Sequence, residues 1–90
     1  MPKYIVERHL PGITSDQLSA AAGRAKSTTA EMSEEGVPVR YLRSTFLPVE
    51  EKCYCLFEGT SAEAVEEANK RADVPYERVV EVMQITRDDV

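Results

Sequence analysis

The chain has 90 residues, with eleven Lys and Arg against sixteen Asp and Glu, a formal net charge of −5, and 42% hydrophobic and 30% charged residues. A chain this long builds one core that buries about 60 to 65% of the surface its unfolded form exposes, so residues 1–90 form a single domain and a second is excluded. The acidic balance, with no basic cluster to offset it, argues against nucleic acid and anionic membrane surfaces as partners.

"YIVERHL" (Tyr4 to Leu10) reads as a first strand, and Pro11-Gly12 turns the chain out of it. "TSDQ" then places Thr14 at a helix N-cap with Gln17 three residues on, a capping box, and Asp16 near the positive end of the helix dipole. Leu18, Ala21, Ala22, Ala25, Thr29 and Met32 follow at three- and four-residue steps and define one mildly apolar face. Gly36 is the natural stop, and Gly23, which costs about 1 kcal/mol relative to Ala inside a helix, marks a candidate close approach of backbones.

"VPVRYLRSTFL" (Val37 to Leu47) is β-branched and aromatic enough for a second strand, with Pro38 confined to its start. "PVEE" turns into a third strand, "KCYCLFE", and "TSAE" (Thr60 to Glu63) is a second capping box. The helix it opens turns Val65, Ala68 and Ala72 inward and pairs Glu66 with Lys70 and Glu67 with Arg71 on its wet side. "RVVEVMQI" (Arg78 to Ile85) is the fourth strand. The order βαββαβ with right-handed crossovers predicts an α+β ferredoxin-like sandwich: a four-stranded antiparallel sheet, order 4-1-3-2, with both helices on one face.

A sheet covered on one face only should alternate apolar and polar residues cleanly. Here Cys53, Cys55 and Phe57 oppose Tyr54 and Leu56, and Val80 and Val82 oppose Val79, Met83 and Ile85, so both faces carry apolar area. A bare face of several hundred Å² predicts a homodimer that buries what the helices leave uncovered. Interspersed Glu7, His9, Arg43, Glu58 and Glu81 make that interface partly polar, or ring it as a solvated rim.

There is no apolar run of about 18 residues to span a bilayer, and "MPKYIVERHL" lacks the apolar core of a signal peptide, so the expected location is the cytoplasm. Two cysteines in such a chain are reduced thiols, and as same-side neighbours in a strand they pair poorly with each other. The plainest role for Cys53 and Cys55 is filling, because cysteine is among the most buried residue types. The sharper role is coordination: antiparallel pairing of the first and third strands brings His9 towards Cys53, and Glu7, His9, Cys53 and Cys55 supply the imidazole, carboxylate and thiolate that a late divalent metal such as nickel or zinc prefers. His9 beside Cys53 could nominally serve as a base and a nucleophile, but no third orienting group or oxyanion loop is recognisable. The C-x-x-C of a metal chaperone and the aromatic-glycine signature of an RNA-recognition sheet are both missing.

"KYIVERHLPG", "EEGVPVRYLRSTFLPVEEKCYCLFEG" and "ANKRADVPYERVVEVMQI" together resemble a small bacterial family of unknown function that includes nickel-binding members. The resemblance spans nearly the whole chain and is most specific at Val6-Glu7-Arg8, Pro11-Gly12, Lys52 with Tyr54-Cys55, and Pro75 to Val82. It implies a ferredoxin-like dimer and, for some members, nickel sites linked to sequestration. Members of that family often carry a histidine in the second helix, where this chain has Asn69. The resulting expectation is a small dimeric divalent-metal-binding protein without catalytic activity; the alternative is a dimeric α/β-barrel enzyme or small-ligand binder that uses a cleft between helices and sheet.

Overall fold

In the computed structural model, which describes all 90 residues, the chain runs β1 (Lys3–His9), α1 (Ser15–Glu34), β2 (Val39–Leu47), β3 (Lys52–Gly59), α2 (Ala62–Arg71), β4 (Arg78–Val82) and a closing 3₁₀ turn at Arg87–Asp89. The strands form one antiparallel sheet in the order β2-β3-β1-β4. The predicted sandwich is therefore the fold. β4 is shorter than expected: Met83 and Ile85 lie beyond its last pair, Lys3 with Val82, and are exposed.

α1 starts where its capping box places it. The Thr14 hydroxyl accepts from the Gln17 N–H at 3.1 Å, and the Gln17 side chain accepts from the Thr14 N–H at 2.9 Å. It ends in a Schellman turn: Val37 N–H donates to the Met32 carbonyl and Gly36 N–H to that of Ser33, while Gly36 takes the left-handed φ of +95° that the turn requires. Gly23 marks no close approach, because a Cβ there would meet nothing within 4 Å. α2 also departs from expectation at its start, where Ser61 rather than Thr60 is the cap and accepts from the Ala64 N–H at 3.2 Å. Of the two pairs expected on its outer face, Glu67 with Arg71 forms, at 2.9 Å. Arg71 also reaches Glu35 just beyond the end of α1, also at 2.9 Å.

Both helices lie on one face of the sheet. Tyr4, Val6 and Arg8 of β1 and Cys53, Cys55 and Phe57 of β3 point under them and are buried. Phe57, Met32, Val65 and Val39 close the centre, and the edge of the Tyr41 ring meets Phe57 at a centroid distance of 5.5 Å. Thr29 and Ser33 tie α1 to the edge strand β2: the Thr29 hydroxyl accepts from the Tyr41 N–H, and the Ser33 hydroxyl exchanges bonds with the backbone of Val39. Side chains fill the centre between helices and sheet, and a groove of about 600 Å³ remains at its edge between α1 and β2, lined by Lys26, Thr29, Ala30, Ser33, Val39 and Tyr41 among others.

The opposite face carries no element of its own. Lys3, Ile5, Glu7 and His9 of β1 lie there beside Tyr54, Leu56 and Glu58 of β3, Arg40, Arg43 and Thr45 of β2, and Arg78, Val80 and Val82 of β4. Ion pairs run across it, Glu58 with Lys3 and Arg40, and Glu7 with Arg78. No helix of the molecule is long and apolar enough to cross a membrane.

Candidate functional site

The four candidate ligands fall on two sides of the sheet. The β1–β3 register sets His9 opposite Lys52, Arg8 opposite Cys53 and Glu7 opposite Tyr54. Because successive side chains alternate across a strand, Glu7 and His9 project to the open face while Cys53 and Cys55 project under the helices. His9 is exposed, and the two cysteines are 0% and 4% exposed. The expected approach of His9 to Cys53 is thus an approach of backbones only, with the sheet between imidazole and thiol. Within one chain, no group of three or more His, Cys, Asp or Glu side chains converges as a metal ion would need. The residues of the chain do not by themselves fit a nickel ion.

The two half-sites have different surroundings. On the open side Glu7 is held by Arg78. His9 stands at the strand end, on the rim of a groove of about 580 Å³ whose walls include Leu10, Pro11, Ile13, Arg24 and Pro75. This groove lies where β1 passes into α1; the groove between α1 and β2 is the one at the place where the small-ligand alternative looks for a cleft. The β1–α1 turn beside it is pinned by Glu51, whose carboxylate accepts from the Gly12 N–H at 2.7 Å and whose carbonyl accepts from the Leu10 N–H at 2.8 Å.

On the covered side the two thiols are in contact, Sγ to Sγ 3.6 Å. Arg8 donates from Nε to Cys55 Sγ at 3.4 Å and from Nη1 to the Pro75 carbonyl at 3.3 Å. The Ser44 hydroxyl lies 3.1 Å from Cys55 Sγ and shares a 2.7 Å hydrogen bond with Tyr41 Oη. The contact with Cys53 pulls the Cys55 thiol below its ordinary range, helped by the charge and hydrogen bond of Arg8 and by Ser44, against the opposing effect of burial. The same contact, with burial, pushes Cys53 up. Of the two thiols, Cys55, nearer the guanidinium, is the more readily ionised.

A β-bulge decides which β2 side chain reaches this cluster. Tyr41 pairs with Phe57 and Arg43 with Leu56, leaving Leu42 as the extra residue. Strict alternation from Tyr41 would aim Arg43 inward; after the bulge Ser44 sits over Cys55 and Arg43 faces out, where it donates to Gln84. Reading the sequence for ligand types identified both cysteines but missed Arg8 and Ser44. The available signal was an arginine at an inward position of an alternating strand.

The model of the family described as "Nickel responsive protein SCO4226-like" matches residues 4–82. The chain belongs to this family. It is also similar to a solved structure, described as the crystal structure analysis of SCO4226 from Streptomyces coelicolor A3(2), with 29% identity over 93% of this chain and 99% of that one and a TM-score of 0.76. No curated protein matches. The difference noted at Asn69 falls in the interior: its side chain is 1% exposed, donates to the Val65 carbonyl at 2.8 Å and leaves Oδ1 without a partner.

Proposed function

We propose that this protein binds nickel as cargo in the cytoplasm, without catalysing a reaction, and that it does so as a homodimer whose open sheet faces meet. The observation that carries the reading is the placing of the one imidazole of the chain, His9, with Glu7 on the uncovered face, in a member of a nickel-responsive family. A single Glu7–His9 pair supplies two donors where nickel takes four or more, and a second copy, with water, supplies the rest. The apolar part of the same face that keeps some exposure, half-buried Ile5, Tyr54, Val80 and Val82, gives a second copy its reason to bind there, while Leu56 between them is already buried in the single chain. Binding also requires Glu7 to leave Arg78, an exposed pair worth about 1 kcal/mol or less.

The charge of this face makes the reading testable. It holds five of the eleven basic residues, Lys3, Arg40, Arg43, Lys52 and Arg78, but only two of the sixteen acidic ones, Glu7 and Glu58. Two such faces repel, so added salt should tighten the dimer by screening that repulsion. Calorimetric titration with nickel should show saturable binding that His9→Ala abolishes and Glu7→Gln weakens. Absence of binding, or binding indifferent to His9→Ala, rejects the site.

A further inference from the structure

Arg8 is 2% exposed, and none of the five ion pairs of the molecule includes it. A guanidinium cannot discharge itself by losing its proton, and an uncompensated buried charge costs several kcal/mol. The groups its donors reach are a carbonyl, which carries no charge, and Cys55 Sγ, backed by Cys53 Sγ at 3.6 Å. The thiol pair is thus the group in contact with the guanidinium that can balance it, by ionising once and keeping one proton between two sulfurs.

We propose that Cys53 and Cys55 chelate a soft monovalent cation of the copper(I) class beneath the helices, with the buried Arg8 guanidinium as the fixed counter-charge of the dithiolate complex. This site is separate from the nickel reading and uses neither His9 nor Glu7. Loading is a simple exchange: the cation bonds to both sulfurs, the thiol proton between them leaves to solvent, and nothing is oxidised or reduced. Before loading, a thiolate and a guanidinium sum to zero; afterwards two thiolates, one monovalent cation and the guanidinium again sum to zero. A divalent ion in the same place would leave a net positive charge in a dry interior, which is the costly outcome.

Coordination number points the same way. Nickel and zinc ask for four or more ligands, and no third His, Cys, Asp or Glu joins the two sulfurs. Thiolate-bound copper(I) is satisfied by two or three donors, and soft sulfur ligands favour it. A metal about 2.3 Å from each sulfur would bridge the present 3.6 Å gap at an S–metal–S angle of roughly 100°, and rotating the side chains outward opens that angle. The approach is from the edge of the sheet: Ser44 is half-buried on β2, touches Cys55 Sγ at 3.1 Å, and is turned inward by the bulge at Leu42.

The test is an anaerobic titration of the reduced, folded protein with copper(I) against a coloured copper(I) chelator, with proton release measured in weak buffer and the bound stoichiometry by native mass spectrometry. The expected result is one ion per chain, one proton released per ion, and no displacement by equimolar zinc(II). Cys53→Ala and Cys55→Ala should each weaken binding at least 100-fold while circular dichroism shows the fold retained, and His9→Ala should leave it unchanged, which separates this site from the nickel site. Arg8→Lys, which keeps the charge if the fold tolerates it, should hold the proton count at one. Failure of the wild type to compete with the chelator, equal affinity for zinc(II), two protons released, or undiminished binding by either cysteine variant would each overturn the proposal.

Discussion

The two faces of the sheet are built from the same strands and both carry apolar residues, yet they do different work. Under the helices, Val6, Cys53, Cys55 and Phe57 pack against Met32, Val65 and Ala68, and the one charged side chain fully buried among them, Arg8, has sulfur for its partner. On the open face, apolar Ile5, Tyr54 and Val80 are threaded between charged side chains that pair across strands. Apolar content alone does not identify a core; what distinguishes one is the lack of charges interleaved with it.

Substitutions matched across the two faces should separate them sharply. Phe57→Ala removes a side chain with no exposed surface and should cost about 3 to 5 kcal/mol, most of the stability of a domain of this size, read as a lower urea midpoint. Val80→Ala, half-buried on the open face of β4, should cost under about 1 kcal/mol in the isolated chain while weakening association. Comparable losses at both positions would mean that the open face is structural core.

The next effect concerns the exception on the covered face. A double-mutant cycle of Arg8→Met and Cys55→Ala, followed by urea unfolding, should give a coupling energy of about 1 to 3 kcal/mol, because each variant alone removes the partner of the other. Additive losses would make Arg8 a packed side chain without an electrostatic partner. A smaller effect, of opposite sign, belongs to the solvent side of α1. Gly23→Ala meets open space in a helical backbone and should stabilise by about 1 kcal/mol, visible as a higher midpoint. At the start of α2, Ser61→Ala should cost about 1 kcal/mol and Thr60→Ala no more than about 0.5 kcal/mol, which tests the cap directly.

Much of the fold could be read from the chain because local and global signals agree. The Thr14–Gln17 box, the Gly36 stop and the inward Val65, Ala68 and Ala72 all stand where their patterns place them. The cap of α2 was misjudged by one residue because Thr60 and Ser61 are adjacent and equally suited to capping, and only the backbone path into the helix decides between them. The site was less legible for a related reason. Ligand type is written in the sequence, but the face a side chain takes depends on pairing parity, and a one-residue difference sends it to the other side. Hence His9 and Cys53 could be brought near each other in sequence logic while the register sets them back to back. The bulge at Leu42, which turns Ser44 inward, carries no glycine or proline to announce it.

The claim on which most rests is that a second copy covers the open face. Sedimentation equilibrium at micromolar protein, repeated from low to high salt, measures it without any probe. Paired open faces give the mass of two chains, with a dissociation constant that falls as salt is added; a stable single-chain mass across that range would rule the pairing out.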